Sequence, residues 1–308
     1  MRQREVMLFL ILLSLFNSGL SQPISPHEKG AGLLLFADSI KGEVDVHINR
    51  ITRGINSRNQ NNMELSLQYY NLAICYSAKK QIDSACYFLC QVLDHSSVYN
   101  NMVYTDTDFE NLRHAPCWGT IAQKVDSAYL TNFPGITHEE LAIELYHIFL
   151  LDQHARGLGL KKINKSIINI DQENLSRVED IILKYGWPTY TMVGKTAAEG
   201  AFLVIQHSEV GIQQKYFLQL FNAAQNNEAK KEWVALLLDR ISIQRKGFQY
   251  FGTQVYQIKD SITGRPGKYN YFPIHNESIV DSLRMAFDMI PLNEYYSLFG
   301  IDYKPVRK

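Results

Sequence analysis

Eight residues have types and spacing that could support chemistry: Asp152, Arg156, Gln206, His207, Asp239, Arg240, Gln249 and Gln254. Each stands at or beside an apolar helix stripe or a glycine-containing turn, where core residues belong. Charged side chains rarely occupy such positions unless they are paired. If the helices carrying them pack as a bundle, these groups can converge on one polar pocket. His207 is then the natural proton-transfer residue, since its unperturbed pKa lies near 6.5. A carboxylate from Asp152 or Asp239 would orient its ring, and Arg156 or Arg240 would hold an anionic group. Gln206 and Gln249 would contact substrate, while Gln254 and the Gly252 backbone would donate to a developing oxyanion. That is a hydrolase-like reading. A second reading stands beside it: buried Asp–Arg pairs and glutamines also satisfy one another and fix packing without catalysis.

Other chemistries find less support. His138, His147, His154 and His207 have no H-E-x-x-H or similar ligand spacing, so no metal is expected. Ser208 follows His207, but no G-x-S-x-G elbow occurs, and no phosphate-cradling G-x-x-x-x-G-K-[ST] loop is present. No cofactor is expected. The 308 residues carry 31 basic and 31 acidic side chains, a formal net charge of zero. That balance argues against an electrostatic grip on nucleic acid. An unknown protein or a small molecule is left as the partner.

The elements that must position these residues are mostly helical. Thr137, with Glu140 three residues later, reads as a capping box opening a helix that runs to about Arg156. Its apolar stripe of Leu141, Leu145, Ile148 and Phe149 continues into Asp152 and Arg156. Asp171 is expected to cap a helix ending at Tyr185, before Gly186 and Pro188. The next helix carries Ala198, Ala201, Phe202 and Ile205 on one stripe. Gly200 and Leu203 lie on the side of His207, and Gly200 would let another segment approach closely. A helix over about 228–243 bears Trp233, Leu236, Leu237 and Arg240. The segment "FQYFGTQVYQIKD" then alternates partly, "SITGRPG" is turn chemistry, and "KYNYFPI" returns, which predicts a β-hairpin near 250–274. A last helix over about 277–289 ends before Pro291.

The N-terminus reads differently. Arg2 and Arg4 precede "VMLFLILLSLF", and "NSGLSQ" follows. Basic residues, a short apolar run and small residues make a secretory signal peptide, with cleavage expected before Gln22. The apolar run is shorter than the roughly 20 residues a membrane span needs, so no stable insertion is expected after cleavage. A secreted or periplasmic protein can form disulfides. Cys75, Cys86, Cys90 and Cys117 allow three full pairings, and buried free thiols are equally compatible with the spacing.

Within 66–95, Tyr69, Leu72 and Tyr76, followed by Ala85, Leu89 and Val92, have offsets that resemble the tetratricopeptide repeat. That repeat is a helical hairpin of about 34 residues. Ala73 and Ala85 fit its small positions, although its closing proline is absent. "YTDTDFENLRHAPCW" resembles the tail that often follows such repeats, and 24–60 is a candidate for a second, degenerate hairpin. "TNFPGI" at 131–136 makes the best domain boundary.

In the second half, "DQHAR", "GWP", "QH", "DR", "QYFGTQ" and the tail from Arg284 to Tyr295 occur in order. Together they resemble a bacterial family known only as a domain of unknown function. Phe251 stands where that pattern has tyrosine. The resemblance implies membership and brings no reaction with it.

The expectation is therefore a mainly α protein. A signal peptide occupies 1–21 and repeat-like helical hairpins 22–130. A helical domain with a β-hairpin follows over 137–308. The expected function is an exported binding or scaffolding protein that uses its helical repeats; the alternative is the hydrolase-like enzyme.

Overall fold

A computed structural model of the chain describes residues 41–57, 61–96, 99–157, 166–259 and 266–304. The expected signal peptide, and residues 24–40 of the expected second hairpin, lie outside these. Among the described residues the chain is mainly α with one small antiparallel hairpin, and no helix is long and apolar enough to cross a membrane. It divides into two compact units. One holds 18–135 with 153–162, and the other holds 136–152 with 163–308.

The first unit contains α1 (Lys41–Ser57), α2 (Asn62–Ala78), α3 (Ile82–His95), α4 (Asn100–Thr105) and α5 (Trp118–Asn132). A capping box starts α2: the Glu64 amide donates to Asn61 Oδ1 at 2.9 Å, and Glu64 Oε2 accepts from the Asn61 amide. The hairpin of α2 and α3 buries Tyr70, Ala73, Ile74, Ala85, Leu89 and Val92 against Phe109 and Leu112. Those last two come from a 3-10 turn, Thr107–Leu112. The turn is held by buried Asp106, which accepts from the Tyr70 hydroxyl and from the Asp108 amide. Cys86 is bonded to Cys117, tying α3 to the start of α5, while Cys75 and Cys90 are free. Burial pushes the Cys75 thiol up to about 11, so it is inert as a nucleophile at neutral pH.

The second unit contains residues 139–152 of α6 (Glu139–Gly157), then α7 (Ser166–Tyr185), α8 (Tyr190–Val193), α9 (Lys195–His207), α10 (Val210–Gln225) and α11 (Lys231–Lys246). After these come β1 (Val255–Lys259), β2 (Pro266–Tyr271), α12 (Val280–Ala286) and α13 (Leu292–Ser297). Two expected helix starts are corrected. Thr137 does not cap α6: its hydroxyl meets His138 Nδ1 at 2.8 Å, and the first helical bond runs from the Ala142 amide to the His138 carbonyl. Asp171 lies inside α7, which begins at Ser166. Gly200 brings α9 against α6, where a Cβ would meet the Leu145 carbonyl oxygen at 2.7 Å and Phe149 Cβ at 2.9 Å.

The hairpin pairs Val255 with Tyr271 and Gln257 with Tyr269, with an irregularity before Lys259. It is shorter than the alternation suggested. Residues 250–254 are not strand, and Gln249 makes only an isolated bridge to Ile274. Val255, Val280, Leu292, Tyr295, Tyr296, Phe299 and Tyr303 form the core beneath the hairpin.

Candidate functional site

The apolar stripe of α6 does run into a charge. Leu145 and Ile148 are fully buried, and Asp152, one turn further on, is 1% exposed. At the end of α9 the His207 ring reaches it, with Nδ1 3.3 Å from Asp152 Oδ1 and Nε2 shielded from solvent. This is the geometry of a carboxylate orienting an imidazole, in an enclosed setting. Ser208 has no nucleophile's posture, because its hydroxyl donates back to the Ile205 carbonyl at 2.7 Å. The last carbonyls of α9 are closed by Gln213 of α10, whose Nε2 donates to the Gln206 and Ser208 carbonyls at 3.0 and 2.9 Å. Gln206 is itself buried. The Arg156 side chain lies outside the described residues.

Asp239 is engaged in other bonds. It is fully buried on α11, and its carboxylate accepts from the amides of Tyr250 (2.6 Å), Phe251 (3.1 Å) and Thr253 (2.9 Å) and from the Thr253 hydroxyl (2.9 Å). Residues 250–253 form neither helix nor strand, so their amides have no ladder to satisfy them, and the carboxylate replaces one. Burial raises the Asp239 carboxyl above the usual range, and the amide and hydroxyl donors offset that only in part.

The same loop is held from other directions. Gln249 Oε1 accepts from the Gln254 amide at 2.8 Å, and Gln249 Nε2 donates to the Gln254 and Phe272 carbonyls. Gln254 Nε2 reaches the Thr253 hydroxyl at 3.0 Å. Buried Arg284 donates to the Phe251 carbonyl at 2.7 Å and to the Ile290 carbonyl at 2.6 Å, with its guanidinium 4.8 Å from the Tyr295 ring centroid. Phe251 packs on Phe287, and Gly252, at φ 71°, sits where a Cβ would strike Leu292. Arg240, next to Asp239, is half-buried. The eight residues thus include two separate arrangements: Asp152 with His207 beside Gln206, and Asp239, Gln249 and Gln254 as the scaffold of one loop.

Two acids escaped the sequence reading. Glu199 on α9 and Glu232 in the first turn of α11 are mostly buried, and burial raises the carboxyl of each above its ordinary value. Glu232 raises Glu199 further, and Lys230 lowers both. Phe202, one turn after Glu199, stacks on Trp233 at 4.8 Å and 6°, which brings the two helices together there. The available signal was a single acid inside the small and apolar run "TAAEGAFLV". Among the described residues, no three His, Cys, Asp or Glu side chains are grouped to hold a metal.

Two helical units, one of them crowned by a hairpin over an aspartate-held loop, define the class of molecule. Residues 160–305, most of the C-terminal half, match the model of a family of unknown function (DUF6624). His207 and Asp239 fall inside the matched span, while Asp152 precedes it. No curated protein and no solved structure matches the chain.

Proposed function

We propose that the protein is an exported binding protein that meets its partner through the hairpin of α2 and α3, read as one tetratricopeptide-like repeat. The observation that carries this is a ladder of aromatic rings on one side of the hairpin. Tyr76 stacks on Phe88 at 5.3 Å and 10°, Tyr69 lies 5.9 Å from Phe88, and His95 meets Tyr69 edge-on at 5.3 Å. Tyr87 is 58% exposed and packs edge-on against Phe88 at 5.1 Å. Aromatic rings fixed by their neighbours lose little entropy on binding and dominate interface hot spots. The Cys86–Cys117 bond supports export, because such bonds persist in oxidising compartments. N-terminal sequencing of the exported chain should begin at Gln22. Peptides selected by display on the folded protein should bind Tyr87→Ala at least about tenfold more weakly. Equal binding to that variant would remove the hairpin from the reading.

A second reading rests on the 3.3 Å contact of His207 Nδ1 with Asp152. In it, the imidazole transfers a proton in a hydrolytic step and Asp152 holds its orientation. A panel of ester, amide and phosphoester substrates tests it. Any turnover found should fall about 100-fold or more in His207→Asn, and turnover unchanged in that variant excludes the role.

A further inference from the structure

An isolated parallel bridge joins Gln249 to Ile274. In it the Gln249 amide donates to the Pro273 carbonyl and the His275 amide donates to the Gln249 carbonyl, both at 2.8 Å. Side chains alternate across such extended backbone. Gln249 turns inward, where it is fully buried, and Ile274 packs against the core beneath the hairpin. Phe248, Tyr250 and His275, their immediate neighbours in the chain, therefore share the outer face. Their rings meet there pairwise. The Phe248 centroid lies 5.4 Å from that of Tyr250 and 4.8 Å from that of His275, and Tyr250 lies 5.1 Å from His275. Phe248 and Tyr250 are half-buried and His275 is exposed. The backbone under the trio is fixed by the Tyr250 amide bonded to Asp239 and the Gln254 amide bonded to Gln249. The platform is thus in place before anything binds, which lowers the cost of binding.

A cation already rests on this platform. Lys246, the last residue of α11, holds its ammonium 5.7 Å from the Phe248 ring centroid and 5.6 Å from that of Tyr250. Its Nζ donates to the Tyr250 hydroxyl at 3.1 Å. The Lys246 side chain is exposed, and among the described residues no acid pairs with it, so the rings and one hydroxyl place the charge there. We propose that the trio is a binding site for a quaternary ammonium group, with Lys246 as its resident placeholder. Ring faces attract any cation within about 6 Å. A primary ammonium gives up strongly held water to lie on them. A methylated one is weakly hydrated and adds the apolar contact of its methyl groups. Lys246 loses little on leaving, because its flexible stem returns the ammonium to water and a water takes its place on the Tyr250 hydroxyl. One cation thus replaces another over the rings. An anion is repelled by the ring faces, and an uncharged group gains apolar contact alone. The site requires neither the aromatic ladder of α2 and α3 nor proton transfer by His207, so it stands or falls apart from both readings above.

The test is an NMR titration of the full chain with choline, following the ring signals of Phe248, Tyr250 and His275. The controls are methylammonium and the uncharged alcohol in which carbon replaces the choline nitrogen. Exposed cation–π contacts are individually weak, so saturation is expected in the millimolar range. Choline should give a saturable shift, and both controls should bind about tenfold more weakly or not at all. Lys246→Ala, which removes the placeholder, should tighten choline and leave the uncharged alcohol unchanged. Phe248→Leu, which keeps apolar bulk and removes the ring, should weaken choline about tenfold. Sedimentation with phosphatidylcholine vesicles but not with phosphatidylglycerol vesicles would make a lipid headgroup the source of the ammonium; choline binding without it makes the ligand a soluble one. A choline shift that never saturates, or an equal response to the uncharged alcohol, would overturn the proposal. So would choline binding that is unchanged in both variants. Should Phe248→Leu fail to fold, choline against its uncharged counterpart on the unmodified chain still decides the matter.

Discussion

Each unit of this protein keeps a buried aspartate that folds a turn, and the two are used differently. Asp106 in the first unit accepts from one nearby amide and from the Tyr70 hydroxyl of α2. The turn it organises is already anchored by Phe109 and Leu112 in the core and lies between the two cysteines of the disulfide. Asp239 in the second unit binds three amides and a hydroxyl of one loop, 11 to 14 residues further along the chain. The difference lies in what holds the irregular backbone: apolar packing and a covalent tie in one case, and in the other a buried polar set of one carboxylate, Gln249 and Arg284.

That contrast can be broken by substitution. Asp239→Ala should cost the most, about 4 kcal/mol or more in urea unfolding, because several buried donors lose their acceptor together, each worth about 1–3 kcal/mol. A loss under about 1 kcal/mol would show that the loop does not depend on it. Cys86→Ser with Cys117→Ser should cost about 2–4 kcal/mol. The unreduced, denatured wild-type chain should meanwhile show two reactive thiols, Cys75 and Cys90; four would remove the covalent tie from the comparison. Tyr70→Phe should cost about 1.5–3 kcal/mol, the value of a hydrogen bond to a charged acceptor. If it costs as much as Asp239→Ala, the two turns are held alike.

The smallest effect concerns pH. Burial raises the Glu199 carboxyl above its ordinary value of 4.5, so across that window the folded state holds its proton more tightly than the unfolded one. The stability Glu199 contributes is therefore full below about 4.5 and is lost as pH rises through the raised value. Glu199→Gln should be more stable than wild type at neutral pH and lose that advantage in acid. An advantage that does not change with pH would mean that Glu199 does not titrate as burial dictates.

The helices were legible because period-3.6 stripes are local. Leu141, Leu145 and Ile148 are buried as the stripe required, and the same stripe exposed Asp152 as an anomaly whose partner is His207. Helix starts were less legible. Thr137 and Asp171 are good capping residues, but the Thr137 hydroxyl is held by His138 and Asp171 lies within a longer helix. Residues 249–254 look like strand by composition. What decides their shape is Asp239 on a preceding helix, and local alternation carries no record of such a partner. Gln213 gave no signal either, since one glutamine in a polar helix face is indistinguishable from solvent-exposed neighbours until the end of α9 is seen against it.

The aspartate-held loop also sets a clock. The amides of Tyr250, Phe251 and Thr253 belong to an irregular segment, where exchange with deuterated water is ordinarily fast. Here each points at a buried carboxylate on α11, so none can exchange until that contact opens. Their protection should match that of α11 itself, so that by exchange rate this loop counts as part of the helix.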